Sequence, residues 1–275
     1  MHELFLTAVI GSTDIDAATA VLQGLCGMNG WNNYQRVLFF SGPPQPRGLP
    51  GTRSIQPSPY GRQWTELKQH LTRQSYLLQA RYEVSRSRDF GAQEDANGSP
   101  AGSSNLNATP GMLRWADLPD PTGNRPVTQR KKVDIPDQRN LLAILADNNH
   151  RFKSEMVEES FTYFRDNVEY SIIRYYRLPP NQAPDGSAQP LQILPPWEEL
   201  SLVDQTGAWL LVAKNSVLED NSPEKMQKAH DELMAIREEL AGVFDFKAFD
   251  RRAHDTRVAQ QSNNIPAPLP QTLRA

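Results

Sequence analysis

Apolar and polar positions alternate along this chain in stretches short enough to read element by element. In His2–Ile10 (HELFLTAVI), Leu4, Leu6 and Ala8 fall on one face of an extended segment and Phe5, Thr7 and Val9 on the other, which predicts a strand. Ile15, Ala18, Leu22 and Leu25 then recur at spacings of three and four. They predict a helix capped by Thr13, with Asp16 three residues on, ending near Gly27. Arg36–Ser41 (RVLFFS) is a strand with apolar groups on both faces. Trp64–Leu71 reads as a short helix and Ser75–Val84 as a strand. Further strands are expected at Gly111–Leu118, Val127–Ile135 and Gly207–Val217, with a short helix at Leu141–Ala146.

The longest patterned stretch is Arg151–Leu178, two extended runs joined at the polar turn Arg165-Asp166-Asn167. On its second run Val168, Tyr170, Ile172 and Tyr176 oppose Glu169, Ser171, Ile173 and Tyr175. A hairpin of this length needs further strands or a helix against it, so it is read as the centre of an antiparallel β-structure. The last element is a helix with Ser222 as cap, Pro223 in its first turn and an apolar stripe of Met226, Ala229, Leu233, Ile236 and Leu240.

Between these elements, 42–60 carries six prolines and three glycines and is expected to be a loop pinned by Arg47, Arg53 and Ile55. A second proline-rich loop covers 179–196. Phe90 and Leu106 are the only large apolar groups in 85–110, which is therefore expected to be a disordered insertion. The tail 256–275 reads as loose, and 1–255 as a single domain.

Composition narrows the function without choosing it. A formal net charge of −3 gives no electrostatic argument for nucleic acid or membranes. The single cysteine, Cys26, excludes an intrachain disulfide and reads as an inert, partly buried thiol. The opening apolar run is too short to span a bilayer and has no basic leader, so a soluble, intracellular protein is expected. The five histidines are scattered, no glycine-rich phosphate loop or GxSxG elbow occurs, and neither a metal nor another cofactor is expected.

Glu155, Glu158, Glu159 and Glu169 are the candidates for tunnel chemistry, and Glu3 is the one acid of the first strand. Glu155 and Glu159 share a face, and the expectation is exposed carboxylates on a barrel wall. Arg130-Lys131-Lys132 is the only basic run; on a strand its members alternate, so no cationic stripe and no sequence-specific nucleic-acid role is expected. What remains is apolar excess on both faces of two strands, Val37 and Phe39 opposite Leu38 and Phe40, and Trp209 and Leu211 opposite Leu210 and Val212. One face fills a barrel interior and the other needs cover, from the chain's own helices or from a partner. Trp209, Leu211, Phe39 and Val37 are the candidate partner-binding residues.

Taken together, HELFLTAVI at 2–10, AVLQGLCGM at 20–28, RVLFFSGP at 36–43 and QPRGL at 45–49 resemble the fungal-type family of subunit 18 of the Mediator of RNA polymerase II transcription. The resemblance implies an α+β, mainly β fold: a large antiparallel (split) β-barrel with a few packed helices, akin to triphosphate-tunnel barrels. It implies a non-enzymatic, nuclear subunit of the Mediator head module. The implied partners are the related barrel of subunit 20, the C-terminal helix of subunit 8, the rest of the head module and, indirectly or through its stalk, RNA polymerase II. A metal-dependent phosphohydrolase of the tunnel type is the alternative.

Overall fold

The computed structural model describes residues 1–50, 59–91, 93–94, 100–101, 105–121, 125–218 and 222–258. Its main strands are β1 (His2–Ile10), β2 (Trp31–Ser41), β3 (Leu77–Val84), β4 (Gly111–Ala116), β5 (Thr128–Gln138), β6 (Arg151–Arg165), β7 (Val168–Arg177) and β8 (Trp209–Val217). The helices are α1 (Ile15–Cys26), α2 (Gly61–Arg73), α3 (Leu141–Asp147) and α4 (Pro223–Glu239). The strands pair antiparallel in the order β7–β8–β1–β5–β4–β3–β2–β6, and β6 pairs back onto β7. The sheet is therefore a closed barrel, which leaves no long edge to recruit another strand.

The long hairpin is the seam of that closure. Arg165 pairs with Val168, leaving Asp166 and Asn167 as a two-residue turn in which Asp166 takes φ 53°. Aspartate tolerates this left-handed geometry better than most side chains. β2 runs further than its apolar stretch because Asn33 and Gln35 extend it with polar groups toward the barrel axis. At its start Gly30 lies against Tyr163, whose ring an added Cβ would meet at 2.6 Å, so the chain enters β2 only where a side chain is missing.

The apolar faces of the strands point outward and the helices cover them. α1, α4, Phe244 and Phe246 pack over Leu4, Leu6, Ala8, Tyr170, Ile172 and Leu211. α2 and α3 cover Leu38, Phe40, Leu78, Ala80, Leu113 and Val133, with Trp64, Leu67 and Leu71 as the buried face of α2. A third, smaller core gathers Phe90, Val157, Tyr176 and Leu194 beneath Trp197. On the two strands that are apolar on both faces, Leu38, Phe40, Trp209 and Leu211 lie in the outer cores while Phe39, Leu210 and Val212 line the barrel interior, so one face fills the interior and the other is covered, as expected.

Several local expectations are corrected. The α1 cap position belongs to Asp14, not Thr13, and no side chain caps that end, while Gly27 closes the helix at φ 62° as expected. Ser222 caps α4 by accepting from the Lys225 amide at 3.4 Å. In the 42–60 loop it is Leu49, 1% exposed, that docks, with the Gly48 amide bonded to Leu71 O; Arg53 and Ile55 lie outside the described residues. The insertion is partly ordered, since Phe90 and Leu106 are both buried and Gly91 N–H donates to Leu194 O; much of 92–104 lies outside the described residues. Thr256–Val258 is bonded to the barrel rather than loose, and 259–275 lies outside the described residues.

His150, just before β6, is 4% exposed, with Nδ1 donating to Asn148 O at 3.1 Å. Burial lowers its imidazole to about 4. The unfolded chain takes up this proton first, so the stability held by neutral His150 is complete above pH 6.5 and is lost as pH falls toward 4. The limit of the loss is on the order of 3 kcal/mol. In urea titrations His150→Leu is expected to gain on the wild type between pH 7 and 5; parallel curves would place the imidazole in solvent.

Candidate functional site

Alternate residues along the strands face the barrel axis, and there polar and charged groups mix with apolar ones such as Phe5, Phe39, Ile173 and Leu210. The result is a cavity of about 440 Å³ lined by residues from every strand of the barrel. Glu3 on β1 accepts from Lys132 Nζ and Arg130 Nε on β5, each at 2.7 Å. Arg114 on β4 grips Asp134 through two bonds of 2.8 and 3.0 Å, and Lys132 Nζ lies 3.3 Å from the same carboxylate. Arg81 on β3 donates to Glu158 on β6 at 2.6 Å and to Gln35 at 2.8 Å. Lys214 on β8 meets Glu169 on β7 at 2.8 Å.

Burial alone would raise these carboxyls, but the facing cations outweigh it. Lys132 and Arg130 hold Glu3 well below the usual carboxylate range, Arg81 lowers Glu158, and Arg114 and Lys132 lower Asp134. Burial, followed by the Glu158 charge, pushes the Tyr175 phenol up. Each carboxylate of this set is already held by a cation. No group of three or more His, Cys, Asp or Glu side chains suited to a metal occurs among the described residues. The cavity is a neutralised ionic lattice, and the phosphohydrolase alternative gains no support from it.

The structure separates the four acids singled out in the sequence. Glu158 and Glu169 face the cavity, whereas Glu155 and Glu159 point outward. Exposed carboxylates were expected, yet Glu155, Glu158 and Glu159 are 9, 7 and 4% exposed. Glu155 bonds Arg36 Nε at 2.7 Å and the Leu191 amide at 2.6 Å; Arg36 in turn donates to Leu191 O at 2.7 Å. This pair clamps the second proline-rich loop onto the barrel. Glu159 accepts from Arg174 and Tyr176, each at 2.7 Å. The basic run alternates as expected, with Arg130 and Lys132 on the inner face, but they share it with Asp134 and are paired with carboxylates. Their i, i+2, i+4 spacing on one strand was the available signal for a charged interior.

The candidate partner residues are engaged inside the fold. Leu211 is fully buried in the outer core. Trp209 is 5% exposed, with its ring beneath the Arg174 guanidinium, 4.1 Å from the centroid. Val37 is 1% exposed opposite Arg81, and the half-buried Phe39 lines the cavity. At these positions the cover comes from the chain itself. Among the large apolar residues that stand in solvent are Trp31, 70% exposed, and Phe164, 49% exposed. They lie on neighbouring strands, since Trp31 pairs with Thr162, two residues before Phe164. The sequence reading missed both: Trp31 lies ahead of the apolar run of its strand, and Phe164 sits in an aromatic run that reads as core.

Ion-paired within and wrapped by helices without, the eight strands define the protein class as a closed antiparallel β-barrel with packed helices. The family model described as Med18 protein matches residues 2–257, and the chain belongs to that family. Among curated relatives, the Mediator of RNA polymerase II transcription subunit 18 of Aspergillus oryzae is 26% identical over 276 residues, covering 94% of this chain and 99% of that protein. The Aspergillus niger protein of the same name is 26% identical over 274 residues with the same coverage. In a solved structure of the Schizosaccharomyces pombe Mediator head module, one chain superposes with a TM-score of 0.60 at 14% identity, covering 94% of this chain and all of that one.

Proposed function

We propose that the chain is a non-enzymatic subunit of the Mediator head module, acting in the nucleus as a rigid barrel that joins other head subunits. Membership of the Med18 family across nearly the whole described chain carries this reading. The paired interior supports it, because a catalytic tunnel needs cations and carboxylates that are available to substrate. Within the head module the barrel pairs with subunit 20 and holds the C-terminal helix of subunit 8. Through them it helps couple regulators to RNA polymerase II and the pre-initiation complex.

We assign the pairing contact to Trp31 and Phe164 rather than to Trp209, Leu211, Phe39 and Val37. An exposed tryptophan beside an exposed phenylalanine has the composition of an interface anchor, and truncating such anchors typically costs about 2 kcal/mol or more of binding. Trp31→Ala and Phe164→Ala are each expected to weaken binding to subunit 20 by about thirtyfold or more, with the thermal midpoint unchanged. Calorimetric titration of the purified chains measures this. Wild-type affinity in both variants would move the contact elsewhere on the barrel; no binding even by the wild-type chain would remove the pairing itself.

A further inference from the structure

Beyond α4 the chain crosses one end of the barrel. Phe244 and Phe246 are buried in the outer core, and Lys247 follows, pinned to β1. The Lys247 amide donates to Thr7 O at 2.9 Å, and its carbonyl accepts from Thr7 Oγ1 at 2.8 Å. On the far side the chain extends β3: the Leu77 amide donates to Thr256 O at 2.6 Å and the Val258 amide to Ser75 O at 2.8 Å. Thr256 Oγ1 donates to Ala116 O at 2.7 Å, and Gln74 Nε2 to Val258 O at 2.9 Å. β3 and β4 are in register only at Gln79–Arg81 with Met112–Arg114, so Thr256 fills the gap where the two strands splay.

Between the two anchors, Ala253, His254, Asp255 and Thr256 line the cavity, with His254 set edge-on to Phe5 at 5.6 Å. This span is thinly held. Residues 247–250 are exposed, including Phe249 at 40%, and between the anchors Arg251 Nη1 donates to Pro119 O at 3.2 Å while no residue of 247–258 is buried. A segment held in this way opens at a small fraction of the cost of global unfolding.

We propose that residues 247–258 are a latch, which opens and closes this end of the polar cavity while the barrel stays folded. Closed, it shields Glu3, Phe5 and Arg130; open, it admits solutes of the cavity's size.

Hydrogen exchange on the full, unaltered chain tests the latch directly. The amides of Leu77 and Val258 are expected to exchange at least about tenfold faster than those of the β1–β8 ladder, with little dependence on denaturant. Exchange of both sets in one denaturant-dependent event would overturn the proposal, because the segment would then move only with global unfolding. Access to the cavity is the second measurement. Ser171, 3% exposed and lining the cavity, is replaced by cysteine in a Cys26→Ser chain and reacted with a small cationic methanethiosulfonate. Adding His254→Gly and Thr256→Gly is expected to speed labelling about tenfold with the circular dichroism unchanged. Equal rates would mean that solutes enter elsewhere, and would overturn the gating role.

Discussion

Replacing Arg36 with alanine is expected to destabilise the fold by about 3–5 kcal/mol, the usual cost of orphaning one half of a buried ion pair. Arg36 is 1% exposed and on the outer face of β2. Its removal leaves the Glu155 carboxylate under the 179–196 loop with only the Leu191 amide as a partner, and leaves Leu191 O without its donor. Glu155→Gln keeps hydrogen-bonding capacity and is expected to cost less. The double variant Arg36→Met with Glu155→Leu is expected to cost well below the sum of the single truncations, since neither charge then remains buried. Urea denaturation at pH 7 measures all of these. A loss below about 1 kcal/mol for Arg36→Ala would be that of a solvent-screened pair and would contradict the clamp.

The second large effect lies inside the barrel. Glu3→Ala leaves Lys132, 3% exposed, with only Asp134 nearby and removes the counter-charge of Arg130; the expected loss is about 3–5 kcal/mol. The same site sets an acid limb. Glu3, Glu158 and Asp134 all have folded-state values below the ordinary carboxylate range. Their contribution is therefore complete above the unfolded values, near 4, and drains away as pH falls through the lower folded ones. In urea midpoints from pH 7 to pH 3, Glu3→Gln is expected to lose less than the wild type on the acid side. Identical acid limbs would mean that Glu3 is not held ionised by Lys132 and Arg130.

The strands and helices were legible because their apolar residues repeat at periods of 2 and 3.6, and α4, with Ser222 and Pro223 at its start, was the plainest. Which face of a strand points inward was not legible. Leu38 and Phe40 read as well for an interior as for a wall under α2, and only the closed topology decides. The lattice of Glu3, Arg81, Arg114, Arg130, Lys132, Asp134 and Glu158 draws on five strands, so its members are neighbours only after the barrel closes. On β5 alone, Arg130, Lys132 and Asp134 displayed the pattern, but the alternation was followed only within the basic run and not on to Asp134. The same ambiguity made Trp209 and Leu211 candidates for a partner, whereas Leu211 lies in the outer core and Trp209 beneath Arg174.

The central claim is that this barrel works as a joining piece of the Mediator head module. The most direct test is the mass of what elutes when the tagged, full-length chain is expressed with subunits 20 and 8 from the same source. The account predicts one stoichiometric complex containing all three chains. A folded barrel eluting alone, with both candidates left unbound, would contradict it.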